Sequence, residues 1–276
     1  MLKKMYLYRI CSWLKHYFTA WNTGGEGVHS PYLFEWVRMV MSDKNAYYKW
    51  TEIEACRRQM LKSDQEVDFV DYGSGSRLLV DGGESRKRWV KNIAKDSLAQ
   101  SKYAQMLYRL VNWLGHQLRG SDKGLTIVEL GTSLGITTAY LASVDLRDKV
   151  LTYEGCESVA ELARDNWKLL GINNILCRVG CINVEELERD LSCVDLAYVD
   201  ANHTYEATLS YFDILAGKTH EKSVIVVDDI HHSEEMEKAW KEICADERVT
   251  STIDLYQMGL VFFDKCYWRR NYRMRL

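Results

Sequence analysis

From residue 125 onward the sequence alternates short apolar runs with amphipathic stretches, and this alternation constrains the fold more than any other feature. Residues 125–130 (L-T-I-V-E-L) read as a buried strand followed by a helix over 134–143. Residues 149–154 read as a second strand, and the helix over 157–170 stops at Gly171, a helix-ending signal. Further strands are predicted at 175–179, 194–200 and 223–228, with a helix over 204–215. Ser233 reads as the N-cap of another helix, with Glu234 and Glu235 in the first turn, where acids suit the helix dipole. Residues 250–255 and 260–263 read as a closing hairpin. Apolar strands separated by helices need cover on both faces. The spacing therefore predicts a doubly wound, mainly parallel α/β sheet with an antiparallel edge.

Upstream the pattern is mostly helical. Pro31 behind Ser30 suits a first helical position, and Leu33, Phe34, Val37 and Val40 recur at helical spacing. A strand-like break at 67–71 runs into Gly73 and Gly75. Arg86, Lys87, Arg88, Lys91 and Lys95 form a basic stretch, and 97–118 is an amphipathic helix. The expected organisation is a helical extension or cap over 1–95 and an α/β domain over 96–276.

The 276 residues are 47% hydrophobic and 27% charged, which excludes disordered and collagen-like classes. A net charge of -3 argues against a dedicated nucleic-acid binder. Eight cysteines without a C-x-x-C pair argue against a four-ligand zinc site and fit free thiols in a reducing cytoplasm. No run of about 18 apolar residues predicts a transmembrane helix. The first 21 residues are basic and aromatic without an acid. They suit a helix packed on its own domain, or on a partner chain in a homodimer, better than a secretory signal or a helix resting on a membrane.

Two glycine loops follow apolar strands, at 71–76 and at 131–135. The second has the better context, because Glu154 ends the next strand 23 residues after Gly131 and can accept hydrogen bonds from ribose hydroxyls. Its G-x-x-x-G spacing carries Thr132 and Ser133 in place of the middle glycine of a dinucleotide loop, which suits a ligand without a pyrophosphate. The loop at 71–76 reads as a structural turn or as a cover over the cofactor or acceptor pocket, with Arg77 supplying charge.

The segment I-V-E-L-G-T-S-L-G over 127–135 resembles the first motif of class I S-adenosylmethionine-dependent methyltransferases, and the alternation over 125–263 resembles their seven-stranded, Rossmann-like sheet. The resemblance implies that Glu129, Gly131, Thr132, Ser133 and Gly135 cradle the methionine and ribose parts of S-adenosylmethionine. Glu154 would hold the ribose hydroxyls, and Gly180 and Cys181 would border the adenine. Asp200-Ala-Asn-His203 after the fourth strand and Asp228-Asp229 after the fifth are similar to a subgroup that includes sugar and small-molecule O-methyltransferases. That similarity implies magnesium held by Asp200, Asp228 and Asp229, with Asp229 where the catechol-type pattern has Asn. His231 and His232 would permit a softer ion. It also implies Asp200 near the cofactor, and Asp200, His203 and Asp228 in catalysis. The N-terminal half, with its H-S-P at 29–31, is similar to bacterial methyltransferase-like proteins and is expected on the acceptor side. The function implied is methylation of a small-molecule or sugar hydroxyl. Alternatives are an RNA-modifying methyltransferase using the basic segments at 86–95 and 265–275, or a non-catalytic cofactor-binding module.

Overall fold

The computed structural model describes residues 2–70, 86–119, 123–265 and 269–276, with side chains from Tyr8 onward. The chain divides into two compact units, one of residues 1–43 with 184–276, the other of 44–183. The extension expected over 1–95 thus contributes residues to both. The 71–76 loop and Arg77 lie outside the described residues.

The first unit opens with α1 (Leu2–Thr19) and α2 (Pro31–Trp36), the latter continued by a π-helical turn (Val37–Met41). Pro31 stands at the start of α2, as its sequence position predicts, and Ser30 Oγ caps that start by accepting the N–H of Leu33.

The second unit contains α3 (Tyr48–Lys62), β1 (Glu66–Phe69), β2 (Arg86–Trp89), α4 (Val90–Ser97) and α5 (Ser101–Leu118). These lead into β3 (Thr126–Leu130), α6 (Ile136–Ala142), β4 (Lys149–Glu154), α7 (Glu157–Leu169) and β5 (Ile175–Val179). β3, β4 and β5 pair in parallel. β1 and β2 form a separate antiparallel pair in which Asp68 faces Lys87. α5 buries Met106, Leu107, Leu110 and Leu114 completely. Each such side chain contributes roughly 1.5–3 kcal/mol.

The first unit resumes with α8 (Val184–Asp190), β6 (Val194–Val199), α9 (Tyr205–Gly217), β7 (Thr219–Asp228), α10 (Glu234–Ala245), β8 (Ser251–Asp254), β9 (Met258–Phe262) and β10 (Arg270–Arg273). Thr204 and Ser233 cap α9 and α10 through their hydroxyls. Within this unit the strand order is β10-β8-β9-β7-β6. β6 and β7 run parallel, β9 is antiparallel to both β7 and β8, and β10 is parallel to β8.

The central sheet therefore has eight strands and is mainly parallel. The expected number was seven. The additional strand is β10, drawn from the basic tail, whose backbone pairs along β8 with Tyr272 opposite Ile253. Backbone pairing alone suffices for an edge strand, so its polar side chains gave no signal. No helix among the described residues is long and apolar enough to cross a membrane.

Candidate active site

The glycine loop of the second unit is held by its surroundings. Gly131 and Gly135 adopt positive φ angles of 101° and 71°, and Ser133 between them is also left-handed at 48°. A Cβ on Gly135 would come within 2.5 Å of Trp167 Nε1 and 2.8 Å of Ala163, so α7 presses directly on the backbone there. Trp167 Nε1 donates to the Gly135 carbonyl at 2.8 Å, and Asn166 Nδ2 donates to that of Leu134 at 2.9 Å. Leu134 is itself buried in a cluster with Val90, Ile93, Ala94, Cys156 and Val159.

Glu154, at the end of β4, clasps this loop. Its Oε2 accepts the backbone N–H of Ser133 at 2.7 Å, and its Oε1 accepts that of Cys156 at 2.9 Å. Burial pushes its carboxyl above the usual range, while the backbone donors of Cys156, Ser133 and Gly155 oppose the rise. The Gly131 and Thr132 N–H groups both reach the Tyr153 carbonyl at 3.1 Å.

The remaining cofactor-side residues are placed differently from one another. Glu129 is fully buried, and its Oε2 accepts from Thr138 and, at 2.6 Å, from Thr152. Thr132 is also buried, with its hydroxyl 2.6 Å from that of Thr152. Both thus brace the loop from beneath. Gly180 has φ 122°, and no atom lies within 4 Å of where its Cβ would stand. Cys181 beside it is exposed.

Sequence reasoning missed three groups here. Ser97 Oγ lies 2.6 Å from Ser133 Oγ, Cys156 Sγ is 3.4 Å from the Val70 N–H, and Ser158 Oγ donates to the Asp68 carbonyl. The end of β1 is therefore anchored beside Glu154. Nothing in the local pattern of 66–70 announces this.

The first unit carries the acidic cluster. Asp200 follows β6, and Asp228 and Asp229 end β7. Asn202, His203 and Asp229 all have positive φ, at 63°, 39° and 54°. Asn, Asp and His are the non-glycine residues that enter this region most readily. His203 Nε2 lies 3.0 Å from Asp200 Oδ1, and its Nδ1 is 3.9 Å from Asp229 Oδ2. The Tyr198 hydroxyl lies 3.1 Å from Asp200 Oδ2 and 2.8 Å from Asp228 Oδ2.

That phenol has one proton to give. It is shared between the two carboxylates. Burial, then the charges of Asp200 and Asp229, push the Asp228 carboxyl well above the ordinary value. Asp200 is raised too, first by burial, with His203 opposing. Burial draws the His203 imidazole down, but the hydrogen bond and charge of Asp200 outweigh it and hold the group at about 9. The chain of contacts runs from Asp228 through Tyr198 and Asp200 to His203. Tyr198, buried inside β6, had read only as a strand residue.

The magnesium implied by the sequence does not fit these residues as they stand. Among the described residues no three His, Cys, Asp or Glu side chains form a group able to hold a metal ion. Tyr198 and His203 engage oxygens of Asp200 and Asp228, and Gln257 Nε2 donates to Asp229 Oδ1. The two histidines after β7 diverge. His232 Nδ1 is 3.5 Å from Asp229, whereas His231 is buried with its Nε2 2.9 Å from Asp254 Oδ2.

Residues 128–230 match a family of methyltransferase domains. No curated protein matches the chain by sequence. Solved structures similar in fold include an O-methyltransferase from Bacillus cereus in complex with SAH. Its TM-score is 0.52 at 15% identity, over 82% of this chain and 95% of that one. TomG, an O-methyltransferase from Streptomyces achromogenes involved in tomaymycin synthesis and solved with SAM, gives 0.53 at 15%, over 79% and 91%. An SAH-bound methyltransferase from Podospora anserina gives 0.56 at 11%, over 82% and 92%. At these identities the likeness is one of fold.

Proposed function

We propose that this chain, which carries a methyltransferase domain over residues 128–230, transfers a methyl group from S-adenosylmethionine to a hydroxyl of a small molecule or sugar. The observation that carries this reading is the clasp between the glycine loop and the carboxylate of Glu154. It lies inside the matched domain, and similar folds have been solved with SAM or SAH bound.

The Glu154 carboxylate takes backbone N–H groups of Ser133, Cys156 and Gly155 and still has acceptor capacity to spare. That capacity is available to a ribose hydroxyl, whose donation would help hold the buried carboxyl in its ionised form. Gly180 leaves room for a flat base because a side chain there would occupy the open space beside the strand end. The loop's left-handed residues fix its backbone before any ligand arrives, so little ordering cost falls on binding.

Bound S-adenosylmethionine supplies a methyl group that is already electrophilic on its sulfonium. The protein's remaining work is to align the acceptor and take its proton. As the acceptor oxygen bonds to the methyl carbon, the carbon–sulfur bond breaks and the hydroxyl proton leaves. The pair Asp200–His203 is the group suited to receive it, through the His203 imidazole in its neutral form. The Tyr198 hydroxyl, held between Asp200 and Asp228, keeps Asp200 oriented toward His203. No step is routed through a cation.

Titration calorimetry with S-adenosylhomocysteine tests the cofactor half of this reading, and transfer of labelled methyl to a panel of hydroxylated small molecules tests the rest. Binding that is lost in Glu154→Ala is the expected result. Absence of binding to the intact chain would overturn the proposal.

A further inference from the structure

We propose that the outward face of α1 is a docking surface for an anionic lipid membrane. The helix lies on its own unit by its polar side. Tyr8, Ser12 and His16 recur every four residues and so share one face. The Tyr8 hydroxyl donates to Glu237, His16 Nε2 lies 3.1 Å from the Asp254 carbonyl, and Arg273 Nη1 donates to Thr19 Oγ1 at 3.1 Å. A surface helix ordinarily does the reverse, burying its apolar stripe.

The apolar stripe of α1 points outward instead. Ile10, Trp13, Leu14, Tyr17 and Phe18 follow the helical spacing, and Trp21 continues the line beyond the helix end. All six are exposed, Phe18 at 79% and Trp21 at 62%. Trp13 and Tyr17 stack on each other with ring centroids 5.3 Å apart. The intramolecular contacts of the helix are thus complete on one side, and its large rings are left on the other.

Charge decides between a lipid surface and a second copy of the chain. No acidic residue occurs before Glu26, while Arg9 and Lys15 flank the stripe and are exposed. The Arg275 guanidinium sits over the Tyr17 ring at 4.8 Å, and Arg269 and Arg270 lie in the same unit, while Arg273 is 3.7 Å from Asp254. Two such faces brought together in a dimer would oppose cation to cation. Phospholipid phosphates complement them. Trp and Tyr side chains, apolar in body and polar at one tip, suit the boundary between headgroups and acyl chains. With no described helix long and apolar enough to span, α1 would lie in the plane of the interface.

Co-sedimentation of the full chain with vesicles tests this. The expected result is binding to phosphatidylcholine vesicles containing phosphatidylglycerol, weaker binding to phosphatidylcholine alone, and loss of the difference at high salt. Phe18→Ser with Trp13→Ser should lower the partition at least ~10-fold while leaving the melting temperature unchanged, because both rings are exposed. Arg9→Glu with Lys15→Glu should remove the preference for the anionic vesicles. Binding to neither vesicle, or binding indifferent to Phe18→Ser with Trp13→Ser, would overturn the proposal. So would a dimer in sedimentation velocity that those substitutions dissociate in a chain that ignores vesicles.

Discussion

Ser133 gives its backbone N–H to the carboxylate of Glu154 at 2.7 Å, so the loop that follows one strand is fastened to the end of the next. This bond ties the loop to a side chain 21 residues away in sequence. Glu154→Ala removes both the fastening and the acceptor for ribose hydroxyls. The expected loss of S-adenosylhomocysteine affinity is roughly 10- to 100-fold, the usual worth of hydrogen bonds to a charged group. Calorimetry on both proteins measures it, and an unchanged affinity would remove Glu154 from the cofactor site.

Gly135 is the tightest point of the same loop. Gly135→Ala would add a Cβ at a φ of 71° and 2.5 Å from Trp167 Nε1. The left-handed backbone alone costs a non-glycine residue about 1–2 kcal/mol, and the collision adds to it. Urea unfolding should show destabilisation of at least that size. A variant as stable as the parent would mean that α7 can retreat from the loop.

The His203 imidazole, held up at about 9 by Asp200, is protonated at neutral pH and becomes able to accept a proton only as pH rises. The rate constant kcat/KM should therefore climb with pH and level off near about 9. His203→Gln should abolish the climb. A profile that is flat from neutral pH upward in the parent would assign proton removal to another group.

Magnesium coordination would require Asp200, Asp228 and Asp229 to release Tyr198, His203 and Gln257. Methyl transfer should accordingly survive chelation by EDTA at full rate. Loss of activity on chelation, restored by added magnesium, would show that the cluster rearranges around a cation.

Asp254 is buried between His16 and His231, with its Oδ1 3.2 Å and its Oδ2 2.9 Å from their Nε2 atoms. Burial alone would raise its carboxyl, but the hydrogen bonds from His16 and His231 outweigh that and hold it well below the usual carboxylate range. A depressed folded-state pKa contributes stability that is present above the unfolded value of about 4 and is lost as pH falls below it. Acid unfolding should therefore weaken the parent through that range. Asp254→Asn should cost about 3 kcal/mol at neutral pH and flatten the acid limb, both readable from denaturation curves.

Much of the sheet was legible because a parallel strand covered on both faces must be apolar throughout. β3 and β6 are such strands, and their sequences announce them. The cap at Ser233 and the helix start at Pro31 were legible for a similar reason, since each residue has a local task at a helix start; the caps at Ser30 and Thr204 became visible only in the structure. β2 was not. Arg86, Lys87 and Arg88 carry no apolar alternation, and the strand exists because Arg88 lies over the Phe69 ring at 4.9 Å and Lys87 faces Asp68 across the ladder. β10 escaped notice for the reason already given, that edge pairing asks little of side chains.

In the candidate site, the glycine loop and the position of Glu154 at the end of the next strand were legible from spacing. Tyr198 was not, since a buried tyrosine in a strand looks like any other core residue until its hydroxyl is seen between two carboxylates. The orientation of α1 was not legible in the sequence. A heptad of aromatic and aliphatic residues beside a four-residue polar repeat does not say which side the protein keeps for itself.

The first and last stretches of the chain meet in one unit. The Asn22 N–H reaches the Arg273 carbonyl, and the Arg275 N–H reaches the Thr23 hydroxyl. A ribosome makes Thr23 and Arg275 at points 252 residues apart. The segment around α1 must therefore wait while the intervening chain is made, and this unit can close only once residues 270–276 have left the exit tunnel.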